Sequence, residues 1–285
     1  MKKSIIFASI IVLAFASCSK TGEEMTNESR LMRFESGEIS TKVTGNAFDS
    51  EDAIGIFVVE TSKALQISGN HANNVRASFN GSQWSTSSAI YWPDGSCDVY
   101  AYYPYQALPS SITADSFSVQ ADQSSGIGSS DFLWAKASDK AYDSNNPDVS
   151  VALNFKHQLS KVKVVLQKGS DYVGDWPEDA TFYIHSTVPE GTIDYTTGSV
   201  TKDKYASAQT ITCHKVNDYT YEGIVIPQRI SSRTPLVEMV SKGVSYLAEG
   251  TFNFKPGVVH TFTVTLNTST ESIRIDIGGD IEDWN

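Results

Sequence analysis

The chain has 285 residues, with 33 acidic against 22 basic side chains and a formal net charge of −11. A surface of that sign repels nucleic acid and anionic membranes, which excludes a nucleic-acid partner. At this length, 40% hydrophobic residues suffice for one large or two ordinary domains.

The first eighteen residues read as an export signal. Met1–Lys3 is basic, Ser4–Ala14 is apolar, and Phe15-Ala16-Ser17 are followed directly by Cys18. The apolar run is shorter than the roughly 20 helical residues that cross a bilayer, so it is a leader and not a span. Phe-Ala-Ser-Cys resembles a lipobox, with Phe15 in place of the usual Leu. On this reading residues 1–17 are removed, and Cys18 is acylated and holds the protein on a membrane through lipid alone. Loss of Lys2 and Lys3 then leaves 20 basic against 33 acidic side chains, a net charge of −13. Residues 18–37 are mostly polar and of mixed charge, and form a tether or pro-segment.

From Leu31 onward the pattern is β, and no amphipathic helix of ten or more residues is present. Ile54–Val59 is a near-continuous apolar run. Val75–Phe79 alternates and meets Asn80-Gly81, a hairpin signal because both residues tolerate positive φ. Ala89–Trp92, Cys97–Tyr103 and Asp131–Lys136 are further short strands, and Ser138–Asp148 is a polar loop. Val149, Val151, Leu153, Phe155, His157 and Leu159 occupy odd positions, whereas Val162, Val164 and Leu166 occupy even ones. A strand cannot exchange faces without an extra residue, so a bulge, bend or sheet change is expected at Ser160-Lys161. Strands are expected over Ala180–His185, Thr192–Tyr195 and Ser199-Val200, Thr210–Val216 and Tyr221–Ile226. Others follow over Leu236–Ser241, Val244–Leu247, Thr251–Phe254, His260–Leu266 and Ile273–Ile277, with Ile281 and Trp284 after Gly278-Gly279. The expected fold is all-β, two tandem β-sandwich domains over 38–148 and 149–285 with little helix.

No constellation for catalysis emerges: His-Glu-x-x-His, a phosphate loop and EF-hand spacing are all missing. Ser160-Lys-Val-Lys163 matches Ser-x-x-Lys but sits in a strand without its companion motifs. Asp143–Asp148 clusters oxygen ligands but reads as a solvated turn, so no metal and no cofactor are expected. His157 and His260 lie on apolar strand faces and read as core residues. Cys97 and Cys213 read as buried free thiols, with a disulfide between them as the alternative in an oxidising compartment. Aromatic residues are dense between 91 and 105, and Trp84, Trp92 and Tyr103 would stack on a sugar if exposed.

Several stretches carry a family resemblance. They are Asn46–Phe57, Ala89–Pro93, Tyr100–Pro104, Asp131–Ala135, Val151–Val162, Gly223–Gln228, Phe254–Phe262 and the closing Ile281-Glu-Asp-Trp284. In this order they resemble the fimbrillin family in its Mfa-like branch, over nearly the whole mature chain. The resemblance implies two β-sandwich domains of transthyretin-like topology in a subunit of a type V pilus. It implies export as an outer-membrane lipoprotein exposed at the cell surface, and a place in the fimbrium after processing. It also implies a trypsin-like protease that cuts near the start of the N-terminal domain and removes the first strand. A C-terminal strand of another fimbrillin subunit then fills the opened groove by β-augmentation. Lys42, after Thr41, stands where relatives carry Arg, and Arg33 and Arg30 are further cleavage candidates. Ile273, Ile275, Ile277, Ile281 and Trp284 are donor-strand candidates. Asn285 directly follows the last motif, which is expected to suit a tip or accessory subunit slightly better than a shaft subunit. The competing expectation is a non-polymerising surface lipoprotein that binds a glycan or a host protein.

Overall fold

The computed structural model describes residues 30–37, 48–173, 175–267, 274–276 and 281–284. Their architecture is all-β. The strands of the first half are β1 (Arg33–Ser36), β2 (Ala53–Glu60), β3 (Ala72–Phe79), β4 (Trp84–Thr86), β5 (Cys97–Tyr103), β6 (Asp115–Ser118), β7 (Leu133–Lys140), β8 (Ser150–Leu153) and β9 (Lys156–His157). Those of the second are β10 (Ser160–Lys168), β11 (Thr181–Thr187), β12 (Glu190–Ile193), β13 (Val200–Lys202), β14 (Gln209–Thr212), β15 (His214–Asn217) and β16 (Thr220–Val225). They continue with β17 (Gln228–Ser241), β18 (Val244–Phe254), β19 (Val258–Leu266), β20 (Arg274–Asp276) and β21 (Ile281–Asp283).

A six-stranded sheet, β4-β3-β2-β5-β7-β9, and the two-stranded β1-β8 enclose the first core. A second six-stranded sheet, β15-β16-β10-β19 with β20 and β21 both on the far edge of β19, and the four-stranded β14-β11-β17-β18 contribute to the second. The apolar run in β2 is buried on both faces. Ile54, Ile56 and Val58 enter the first core, and Phe57 and Val59 the second. Gly55 interrupts that run because a Cβ there would lie 2.2 Å from the Tyr102 ring.

The expected Asn-Gly hairpin joins β3 to β4. Gly81 has φ +94, and the Asn80 side chain accepts from the amides of Ser82 and Gln83. The phase flip at 159–162 is a sheet change: β9 pairs with β7 in the first six-stranded sheet, and β10 lies in the second. The polar loop before residue 149 is therefore not where the chain leaves the first set of layers. β8 still pairs with β1, and the crossing comes at Gln158-Leu159. The halves are also stitched together by β6, which pairs with β12 across that division. Ala89–Trp92, expected as a strand, contributes only an isolated bridge between Tyr91 and Leu31. Leu236–Leu247 and its flanks instead form a long hairpin, β17–β18, turning at Lys242 and Gly243, both at positive φ.

Candidate functional site

Two segments near the chain ends are seated on the layers, residues 31–36 against the first core and Trp284 in the second. At the N-terminal end, residues 31–36 run between the 90–92 segment and β8. The Met32 amide donates to the Ile90 carbonyl, and the Trp92 amide to the Arg30 carbonyl, both at 2.8 Å. β1 then runs parallel to β8, from Arg33 beside Ser150 to Ser36 beside Leu153, and the Gly37 amide donates to the Leu153 carbonyl. The strand pleat sends alternate side chains to opposite faces. Met32 and Phe34 are buried in the first core, while Arg33 is exposed. Burying these two apolar side chains contributes about 1.5–3 kcal/mol each.

The flanking ion pairs contribute less, because they lie at the surface. Arg33 pairs with Asp148. Arg30 reaches Asp94 Oδ1 at 2.9 Å and donates to the Pro93 carbonyl, with its guanidinium 5.3 Å from the Tyr142 ring centroid. A cavity of about 610 Å³ opens along β1 toward Phe79 and Trp84. Beyond residues 38–47, Phe48 is buried against Trp84, Phe155 and Tyr103, at centroid distances of 4.9, 5.2 and 5.6 Å.

At the C-terminal end, β20 and β21 lie antiparallel on the outer edge of β19, and the register steps by two residues between them. Ile275 pairs with Val264 and Ile281 with His260. Trp284 is 4% exposed, and its ring stacks on His157 at 3.9 Å with an interplanar angle of 5°. His157 is itself buried, with Nδ1 2.9 Å from Asp131 Oδ2, and Lys161 Nζ lies 5.9 Å from the Trp284 centroid. The Trp284 amide donates to the Gly257 carbonyl, and the Gly257 amide to the Leu159 carbonyl. Gly257, at φ +64, approaches so closely that a Cβ would lie 3.1 Å from the His157 carbonyl oxygen. The Val151–Val162, Phe254–Phe262 and Ile281–Trp284 motifs, far apart in sequence, thus form one contact. His260, beside this seat, is buried and accepts from the Lys255 amide through Nε2. Burial and the neighbouring Lys255 charge hold its imidazole down at about 4.

Of the residues singled out from sequence, Cys18, Lys42, Ile273 and Ile277 lie outside the described residues. Arg30 and Arg33 lie in the clamped N-terminal segment and Trp284 in the C-terminal contact. Of the three aromatic residues named as sugar-stacking candidates, Trp84 and Trp92 are 8% and 5% exposed within the first core. The Tyr103 ring packs on Phe48, and its hydroxyl donates to Asp52. Trp84 lies on β4, Tyr103 ends β5 and Trp92 follows the Tyr91 bridge, and all three rings pack into or against the first core. His157 was legible as a core residue, but its stacking partner 127 positions later was not.

Cys97 and Cys213 are free and buried in separate cores, and burial raises their thiols to about 11 and about 12. Among the described residues no group of three or more His, Cys, Asp or Glu side chains suits a metal ion. No helix among them is long and apolar enough to cross a membrane.

Known proteins share this architecture. No curated protein matches the chain. A candidate cell adhesion protein from Bacteroides uniformis shares the fold with a TM-score of 0.71 at 20% identity, over 90% of this chain and 98% of that one. A fimbrial protein from Bacteroides vulgatus gives 0.54 at 13% identity, over 90% and 100%. The tip fimbrial protein Mfa3 from Porphyromonas gingivalis, solved with a C-terminal truncation, gives 0.52 at 8% identity, over 89% and 98%. The family model described as fimbrillin-like matches residues 41–284, beginning just after β1. This chain belongs to the fimbrillin-like family.

Proposed function

We propose that the protein is a subunit of a surface pilus, exported as a lipoprotein through Cys18 and activated by removal of its N-terminal strand. Family membership supports the pilus role. The observation that carries the mechanism is the seating of β1. It is a four-residue strand with one sheet partner, whose register with β8 and whose bonds to the 90–92 segment fill a slot. Removing it would leave the Ile90 and Leu153 carbonyls and two apolar sockets without partners. Each unsatisfied buried polar group costs about 1–3 kcal/mol, so the opened slot favours an incoming strand.

Met32 and Phe34 fill the sockets at a spacing of i, i+2. Ile273, Ile275 and Ile277 repeat that spacing and make the C-terminal segment of another subunit the donor. The cut belongs after Lys42. Cleavage after Arg30 would leave all of β1 in place, and cleavage after Arg33 would leave Phe34 in its socket. A trypsin-like protease cutting after Lys42 releases lipid, tether and strand together and retains Phe48 in the core.

The test is limited trypsin treatment of the mature chain, followed by unheated SDS electrophoresis. A ladder of SDS-resistant polymers is expected, and Lys42→Ala abolishes it. A chain fully cut after Lys42 that stays monomeric overturns the proposal.

A further inference from the structure

The N-terminal strand and the C-terminal tryptophan are held by the same eight residues. In Ser150–His157, Val151, Leu153, Phe155 and His157 are all buried at alternate positions. The start of this segment, β8, is the sheet partner of β1. Its middle, Phe155, packs on Phe48, the first described residue after the proposed cut. Its end, His157, is the surface on which Trp284 stacks. The seat is fixed from the other side by Asp131, which holds the imidazole and accepts from the Phe132 amide, and by the pairing of β9 with β7. β20 and β21 are three residues each and pair with β19, and Trp284, directly after β21, is buried against His157.

We infer that Trp284 is a latch on the C-terminal strand and that the latch is coupled to the N-terminal strand through Ser150–His157. With β1 in place, the segment is fixed at both ends and Trp284 stays on His157. With β1 gone, β8 loses its sheet partner, the imidazole is left to Asp131 and the β7–β9 pairing alone, and the hold on Trp284 and the C-terminal strand is weakened. A subunit would then release its donor strand only after its own acceptor slot has opened, which keeps unprocessed chains from polymerising. This coupling rests on the proposed strand exchange and adds its regulation.

Energetic coupling between two sites is reciprocal, and that makes it measurable without any assembly. Deuterium exchange is followed at residues 31–36 and 281–284 in the full mature chain and in variants. Phe34→Ala, or the milder Phe34→Leu, is expected to speed exchange at both ends by roughly tenfold or more. Trp284→Ala is expected to do the same, and Trp284→Phe, which keeps a stacking ring, restores slow exchange at both. Met239→Ala, on β17 in the core cluster that also holds Trp284, serves as the control and leaves the two ends slow relative to its own strand. Phe34 variants that speed only 31–36, with Trp284→Ala speeding only 281–284, overturn the coupling, as does a Met239→Ala chain that frees both ends equally. A polymer ladder without coupled exchange removes the latch and leaves strand exchange standing. Coupled exchange without a ladder does the reverse.

Discussion

Single side chains decide which parts of the molecule respond to solvent conditions. His260 is 1% exposed and stays neutral in the folded protein down to about 4, against an ordinary 6.5. Between those values the unfolded chain binds a proton that the folded chain refuses. Stability is therefore complete above about 6.5 and falls as pH drops toward 4. The loss reaches about 3 kcal/mol, because each tenfold rise in proton activity across that window costs roughly 1.4 kcal/mol. Urea titrations at pH 7 and pH 4 on the native protein and on His260→Gln check this. The variant is expected to lose about 3 kcal/mol less on acidification, and an unchanged pH dependence contradicts the assignment. The apolar neighbours of His260 made its burial legible in the sequence, because Phe262, Val264 and Leu266 share its alternation. Its bond to the Lys255 amide was not legible, since it depends on the turn at Pro256-Gly257 folding back.

At the scale of elements, the N-terminal strand is held by its apolar side chains far more than by its charges. Arg33 and Asp148 are 50% and 76% exposed, so their pair is screened by water. Arg33→Ala is expected to cost less than about 1 kcal/mol. Phe34→Ala, which empties a buried socket, is expected to cost about 3–5 kcal/mol. Equilibrium unfolding in urea checks both, and an equal cost for the two substitutions contradicts this account of the clamp. The strands β2, β5, β10 and β19 were legible because their burial follows period two or is continuous on both faces. β1 was ambiguous, because four residues show too little alternation and the parallel partner lies 117 positions away. The β17–β18 hairpin read as separate pieces, because Pro235 and register shifts between Ile230 and Val237 break the period inside one strand. The flip after Leu159 was visible in the sequence, but whether it marked a bulge or a new sheet depended on the pairing of β9 with β7.

At the scale of the whole molecule, the two halves share one continuous second core. Phe57 and Tyr102 from the first six-stranded sheet meet Tyr195, whose hydroxyl donates to Asp115 while its carbonyl accepts from Trp134 Nε1. Gly198 is a glycine because a Cβ would lie 2.6 Å from the Trp134 ring. This junction packs the halves against each other, and the segments proposed to exchange, β1 and β20–β21, lie outside it. A division near residue 148 read well from composition, yet pairing of β1 with β8 and of β6 with β12 carries the backbone network across it. The central claim is that assembly begins by removing β1 intact. N-terminal sequencing of the subunit recovered from assembled pili tests it most directly. The account predicts a chain beginning at Val43, without lipid. A polymer whose subunits begin at acylated Cys18, or at Leu31 with β1 still attached, contradicts it.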